Sequence, residues 1–352
     1  MQSRACKSAD APSIAVGETI KNMILVVGDL HLRDRLGYAD LIPDGRKSEE
    51  KDILDFIVNS ANGCNTVVFM GDNLNAKNNT SAVINKFVNL IERFGNRQIY
   101  ILAGNHEKFA NGNSAIDFLR EVNKPNWHII TKKIEKHEGM VFLPFFTPPE
   151  RHNMEELDKF EGDILFAHHA IGNTTTETKA MAELFNEPII NREMAEKKFQ
   201  LVIGGHVHKP QVINRTVITG SVFNNEVGEV GKSIWKIATL DMNYYELDLP
   251  GRKIIKLENP TDLDLLARPN TIVKVVITDR KLSSRIPEIK RTLREETKNG
   301  GAGIVIERYP NERTKVHFEE GMLEFPIEKL IEIYAVQKKL DPKKLLSAYN
   351  LI

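Results

Sequence analysis

The stretch Gln98-Ile-Tyr-Ile-Leu-Ala-Gly-Asn-His-Glu107 decides how the chain is to be read. An apolar run ends abruptly in Gly-Asn-His-Glu, the pattern of a buried strand that delivers polar groups to the edge of a parallel sheet. In open α/β sheets, sites lie at the carboxyl ends of the strands. Asn105 offers a neutral carbonyl oxygen, His106 an imidazole, and Glu107 a carboxylate. Taken alone, Gly-Asn-His is more often a turn, because Gly and Asn tolerate left-handed backbone.

The same design recurs on either side. Met23–Val27 empties into Gly28-Asp-Leu-His31, where Asp29 and His31, two apart on an extended segment, face one way. Thr66–Met70 empties into Gly71-Asp72-Asn73, Asp163–Ala167 into His168-His169, and Leu201–Gly204 into Gly205-His-Val-His208. Five strand ends thus carry Asp29 and His31, Asp72, Asn105 and His106, His168, and His206 and His208. Each has a bland explanation, since a lone Asp caps helices and a His-x-His often sits on a surface. Five such coincidences at one sheet edge outweigh those explanations together.

The donors are mixed oxygen and nitrogen with no thiolate, a set that favours manganese, iron or zinc over a structural cysteine site. They suffice for two ions about 3.5–4 Å apart, the spacing of two-metal phosphoesterases. Asp72, central in the order, is the choice for a ligand shared by both. His106, beside Asn105, is then free to contact the phosphate or protonate the leaving oxygen. Glu107 either holds that imidazole or faces solvent, and His168 is preferred to His169 because it follows its strand directly.

Around these strand ends the periodicities give helices from Glu49 to Ala61, capped by Ser48, and through Val83, Phe87, Val88, Ile91 and Phe94, closed by Gly95. A short helix is expected near Ser114–Glu121, with further helical segments over 176–185 and 191–198. Trp127, Phe142 and Phe145 read as core. Strands at 217–220, 234–241, 245–249 and 253–257 are expected to form a second, mainly antiparallel sheet. Residues 1–22 read as a disordered extension or leader, and 23–258 as the main unit. A small α/β unit follows over 259–325, with a strand at 271–278, a helix at 283–298 and a strand at 303–307. A helical tail over 326–352 completes the chain.

The bulk numbers exclude some classes. In 352 residues, 48 basic balance 48 acidic side chains, so nucleic-acid binding would need a local patch or a partner. Residues 274–298 hold that patch, with eight basic against four acidic side chains, and Lys290, Arg291 and Arg294 are the candidates for phosphate-backbone contact. Two cysteines, Cys6 and Cys64, make no disulfide framework and fit a reducing compartment. No apolar run approaches a membrane span, and no signal-peptide core precedes residue 23.

The ordered set Asp29-Leu-His31, Gly71-Asp72, Gly104-Asn-His-Glu107, His168 and Gly205-His-Val-His208 resembles the signature of the calcineurin-like metallophosphoesterases. That resemblance implies an α/β fold, a two-layered β-sandwich flanked by helices. It implies one metal on Asp29, His31, Asp72 and His208, and another on Asp72, Asn105, His168 and His206. Within the superfamily the chain is similar to the SbcD/Mre-eleven-type DNA repair nucleases, including phage recombination nuclease subunits. The opening Gly-Asp-Leu-His-Leu, the segment Thr219-Gly-Ser-Val-Phe-Asn-Asn-Glu226 and the following strand–helix–strand unit carry this likeness. Asn73-Leu-Asn75 departs from it, since many members have an aromatic or apolar residue and then His or Asp there. The resemblance implies a Mn2+-dependent DNA exonuclease and endonuclease in bacterial or phage-infected cytoplasm. The implied partners are a second copy of the chain and an SbcC-type coiled-coil ATPase, docked by the tail. The competing function is a small-molecule phosphodiesterase or phosphatase of the same superfamily.

Overall fold

The computed structural model describes residues 23–172, 187–224, 233–261, 270–296 and 301–307. The leader at 1–22, the helical segment at 176–185 and the tail at 326–352 lie outside them.

Apolar runs become strands that are buried on both faces. In β1 (Met23–Val27), Ile24 and Val26 face one core while Leu25 and Val27 face another. The same division holds in β2 (Thr66–Phe69) and β3 (Gln98–Leu102). These three strands and β4 (Trp127–Ile130) run parallel. Their crossovers include α1 (Lys47–Ser60) and α2 (Ser81–Glu92), which cover the outer face through Ile53, Ile57, Val83, Phe87 and Ile91. Thr80 caps α2 by accepting from the Val83 amide.

The second sheet is built from β5 (Glu135–His137), β6 (Met140–Leu143), β7 (Gly162–Ala167), β8 (Phe199–Gly204), β9 (Gln211–Ile213) and β10 (Thr216–Ile218). α3 (Arg192–Lys198) closes its outer face with Ala195. β11 (Ser233–Ala238) then extends the first sheet antiparallel to β1, and β12 (Tyr244–Asp248) pairs antiparallel with β11 at the edge. The two sheets read β12-β11-β1-β2-β3-β4 and β5-β6-β7-β8-β10-β9. Between them lie Ile24, Val26, Val68, Met70, Leu102, Phe142, Phe166, Ile203 and Trp235. The fold is thus mixed α/β, two central sheets flanked by helices.

Several elements differ from expectation. The expected second antiparallel sheet does not form. β10 pairs parallel with β8, while β11 and β12 join the first sheet. β13 (Lys253–Glu258) pairs parallel with β14 (Thr271–Ile277), which pairs with β15 (Ala302–Glu307), as a third sheet. Alternation shows that a strand has one buried face but not which neighbour pairs with it. α1 begins at Lys47, because the Asp44 carboxylate accepts from the amides of Arg46 and Ser48 and does the capping expected of Ser48. The turn near Ser114 is a 3-10 helix at Asp117–Val122, and the helix over the third sheet splits into a 3-10 turn at Arg280–Arg285 and α4 (Ile286–Glu296). Trp127, Phe142 and Phe145 are core, as expected. No helix among the described residues is long and apolar enough to cross a membrane.

Candidate metal centre

All seven candidate ligands come from strand ends and meet at one place. The loop after β1 is bound to the loop after β2, because the His31 amide donates to the Asp72 carbonyl at 2.7 Å and the Leu32 amide to that of Asn73 at 2.9 Å. β3 brings Asn105 and His106 alongside, with the His106 amide donating to Asp72 Oδ1 at 2.9 Å. From the other sheet, the His206 amide donates to Asp29 Oδ2 at 3.1 Å.

The backbone is contorted to do this. His31, Asp72 and His206 all hold positive φ, at 46°, 47° and 71°. Such conformations cost on the order of 1–3 kcal/mol each and persist where the surroundings fix them. Gly104 is required by close approach, since a Cβ there would lie 2.1 Å from Asp72 Oδ1. At Gly71, φ is +108° and a Cβ would meet His168 Nδ1 at 2.4 Å.

The side chains form two adjoining groups. In one, His31 Nε2 and His208 Nε2 are 2.9 Å apart, with Asp72 Oδ2 3.7 Å from the first and Asp29 Oδ2 3.9 Å from the second. In the other, Asn105 Oδ1 lies 3.2 Å from His168 Nε2 and 2.9 Å from His206 Nδ1, and His168 Nε2 is 3.4 Å from Asp72 Oδ2. Asp72 belongs to both. His168 Nδ1 lies 2.7 Å from the Met70 carbonyl, which fixes the ring with Nε2 toward the group. His169 turns away, its Nε2 accepting from the Phe146 amide at 3.1 Å and its ring stacked on Phe145.

The charges show what such a cluster is suited to bind. Asp29 and Asp72 are buried, and the side chains that face them are histidines. Burial works against ionising Asp72, but the charge and hydrogen bond of His168, with His31 and His106, hold its carboxyl far below the usual range. Burial raises Asp29, a rise that Asp72 adds to and His168 opposes. Burial likewise disfavours charge on His168, yet Asp72 and Asp29 hold its pKa up at about 10. Burial lowers His31 to about 3, so it is a neutral donor. Two buried carboxylates, convergent imidazole nitrogens and a carbonyl oxygen fit divalent transition cations. Asp29, His31, Asp72 and His208 would hold one, and Asp72, Asn105, His168 and His206 the other.

His106 stands beside these groups, its ring 4.6 Å from that of His31 and its Nε2 4.0 Å from Asp72 Oδ2. Its Nδ1 is 2.9 Å from the Asn75 carbonyl, so Nε2 is left facing the cleft. Glu107 does neither thing expected of it. It is fully buried and accepts from the Leu74 amide at 2.9 Å and the Gly104 amide at 2.8 Å, tying together the loops that carry Asp72 and Asn105. Burial, with Asp72 nearby, raises its pKa to about 7.

Sequence reasoning missed Glu187, whose Oε2 lies 3.0 Å from His206 Nε2. A carboxylate on the far nitrogen of a ligand histidine orients the ring, but a loop residue of this kind carries no periodic signal. The structure does not bring Lys290, Arg291 and Arg294 to the cluster. They are exposed on α4, and Lys290 and Arg294 line a separate cleft with Asp40 and Leu41.

Strand-end donors around a shared buried carboxylate define a site fit for a pair of divalent metals. Residues 23–210 match the calcineurin-like phosphoesterase family, and the chain belongs to it. It is therefore a phosphoesterase of a family that uses divalent metals. No curated protein matches the sequence. A solved structure described as a novel archaeal phosphodiesterase is 14% identical, covering 64% of this chain and 99% of its own, with a TM-score of 0.35. A likeness that distant carries no argument about substrate.

Proposed function

We propose that the protein is a DNA phosphodiesterase, the nuclease subunit of an SbcCD-type repair or recombination complex, working with two Mn2+ ions. The observation that carries the hydrolytic part is Asp72, buried and shared by two donor groups, one with His31 and His106 and the other with His168 and His206. Two bound ions would fix a phosphate, activate water and steady the attacking and leaving oxygens. His106 has its Nδ1 side held by the Asn75 carbonyl and presents Nε2 to the cleft, placed to give a proton to the leaving oxygen. Glu187 orients His206 through its far nitrogen, and Glu107 keeps the loops of Asp72 and Asn105 in register.

DNA as substrate is supported by the third sheet and by α4, whose Lys290, Arg291 and Arg294 are exposed on one helix beyond the phosphoesterase core. A pairing of two chains and docking of an ATPase complete the proposal. Purified protein with manganese is to be given single-stranded DNA, duplex ends and bis(p-nitrophenyl) phosphate, with and without an SbcC-type ATPase. DNA hydrolysis stimulated by the ATPase is expected. Turnover of the small diester alone would replace the nuclease with a small-molecule phosphodiesterase.

A further inference from the structure

A cavity of about 430 Å3 opens directly beside the cluster, lined by Asn75, Ala76, Lys77, Asn78, Asn105 and His106. It shares two residues with the site, so whatever occupies it lies next to the scissile phosphate. Its volume falls in the range of small-ligand pockets.

The wall of this cavity is braced from behind. Arg33 donates to Asn75 Oδ1 and Asn79 to the Ala76 carbonyl. Thr80 donates to Asp34 at 2.6 Å, and Lys86 Nζ holds the Arg33 carbonyl at 3.2 Å. The segment 75–80 is therefore formed in advance of any ligand.

Its chemistry is selective. No carboxylate lines it. Lys77 is exposed, is its one ammonium group, and has no ion pair among the described residues. The Asn78 side chain is exposed and makes no hydrogen bond among them either. Elsewhere on this surface many cations are paired, as Lys51 is with Asp55 and Lys198 with Asp158. An unpaired lysine with a neutral amide beside a phosphoester site suits a second anion attached through a polar group.

The direction follows from His106. In hydrolysis, water adds to phosphorus, the bond to the leaving oxygen breaks, and that oxygen takes a proton. If His106 Nε2 supplies it, the leaving group must lie on the His106 side, which is where the cavity opens. We propose that this cavity seats the leaving nucleotide, with Lys77 holding the next phosphate of the chain and Asn78 meeting the sugar or base between. The inference rests on the nucleic-acid reading above and narrows it to substrates with a second phosphate on the leaving side.

The test uses the full chain with manganese and three substrates: thymidylyl-thymidine bare, with a 5′-terminal phosphate, and with a 3′-terminal phosphate. Product analysis identifies which nucleoside leaves. Wild type should prefer the dinucleotide whose extra phosphate is on that nucleoside. Lys77→Ala should cut that preference in kcat/KM by roughly two- to fivefold, the range of a solvent-exposed ion pair, and Lys77→Arg should keep it. An unchanged preference in Lys77→Ala overturns the subsite and leaves the nucleic-acid reading standing. Turnover of bis(p-nitrophenyl) phosphate with no cleavage of any dinucleotide overturns that reading and the subsite with it.

Discussion

Replacing Glu107 by Gln separates a buried carboxylate's structural role from its electrostatic cost. Its two oxygens accept from the Leu74 and Gly104 amides, so a glutamine must turn its NH2 toward one donor. One hydrogen bond disappears and one buried N–H is left unpaired, about 1–3 kcal/mol of destabilisation. Against this stands the cost of the charge, since burial and Asp72 raise the carboxyl from 4.5 to about 7. A carboxyl with a raised folded pKa favours the folded state when protonated, so its contribution declines as pH climbs from 4.5 through 7. Between pH 5 and pH 8 the wild type should lose roughly 2–3 kcal/mol from this group, and Glu107→Gln should lose none of it. The variant is therefore less stable than wild type at pH 5, and the gap closes or reverses by pH 8. Urea denaturation of metal-free protein at both pH values reads this directly. An equal gap at the two pH values would refute a buried, raised Glu107.

His106→Gln should keep its metal content while activity falls about 10²–10⁴-fold, the usual weight of general acid–base catalysis; metal loss like that of Asn105→Ala would make His106 a ligand. His168 is protonated below about 10 in the metal-free fold, so its stabilisation is complete below 6.5 and is lost as pH rises through about 10. Manganese loading at pH 8 should accordingly release about one proton, measured by calorimetry in two buffers of different ionisation heat, and no release would contradict this. Neutralising Lys290, Arg291 and Arg294 should flatten the slope of log affinity against log salt on duplex DNA by about 0.9 for each phosphate that is no longer neutralised; an unchanged slope would move the DNA surface elsewhere.

The fold was legible where a strand both begins and ends in the sequence. Met23–Val27 and Gln98–Leu102 are apolar runs closed by Gly-polar pairs, and their buried faces match that pattern. Pairing partners were not legible, because β11 (Ser233–Ala238) and β13 (Lys253–Glu258) share an apolar pair followed by a lysine and one more apolar residue yet join different sheets. The candidate donors were legible from residue type and order at the strand ends. The choice of His168 over His169 rested on one residue of spacing, and geometry now separates them through the Met70 and Phe146 backbone. Glu107 was misread because its partners, the Leu74 and Gly104 amides, are set by loop closure rather than by sequence proximity. Glu187 had no signal at all, being one acid in a loop that meets His206 only in space.

The proposed chemistry depends on Asp72 serving two metal ions at once. It is tested most directly by manganese content after equilibrium dialysis of wild type and Asp72→Asn, with circular dichroism to confirm that both are folded. Asn retains an oxygen for the His106 amide now bound to Oδ1, so the loop should hold. Two ions per wild-type chain are expected, with a loss from both positions in Asp72→Asn and activity abolished. Two tightly held ions in the variant, or a single ion in the wild type, would contradict it.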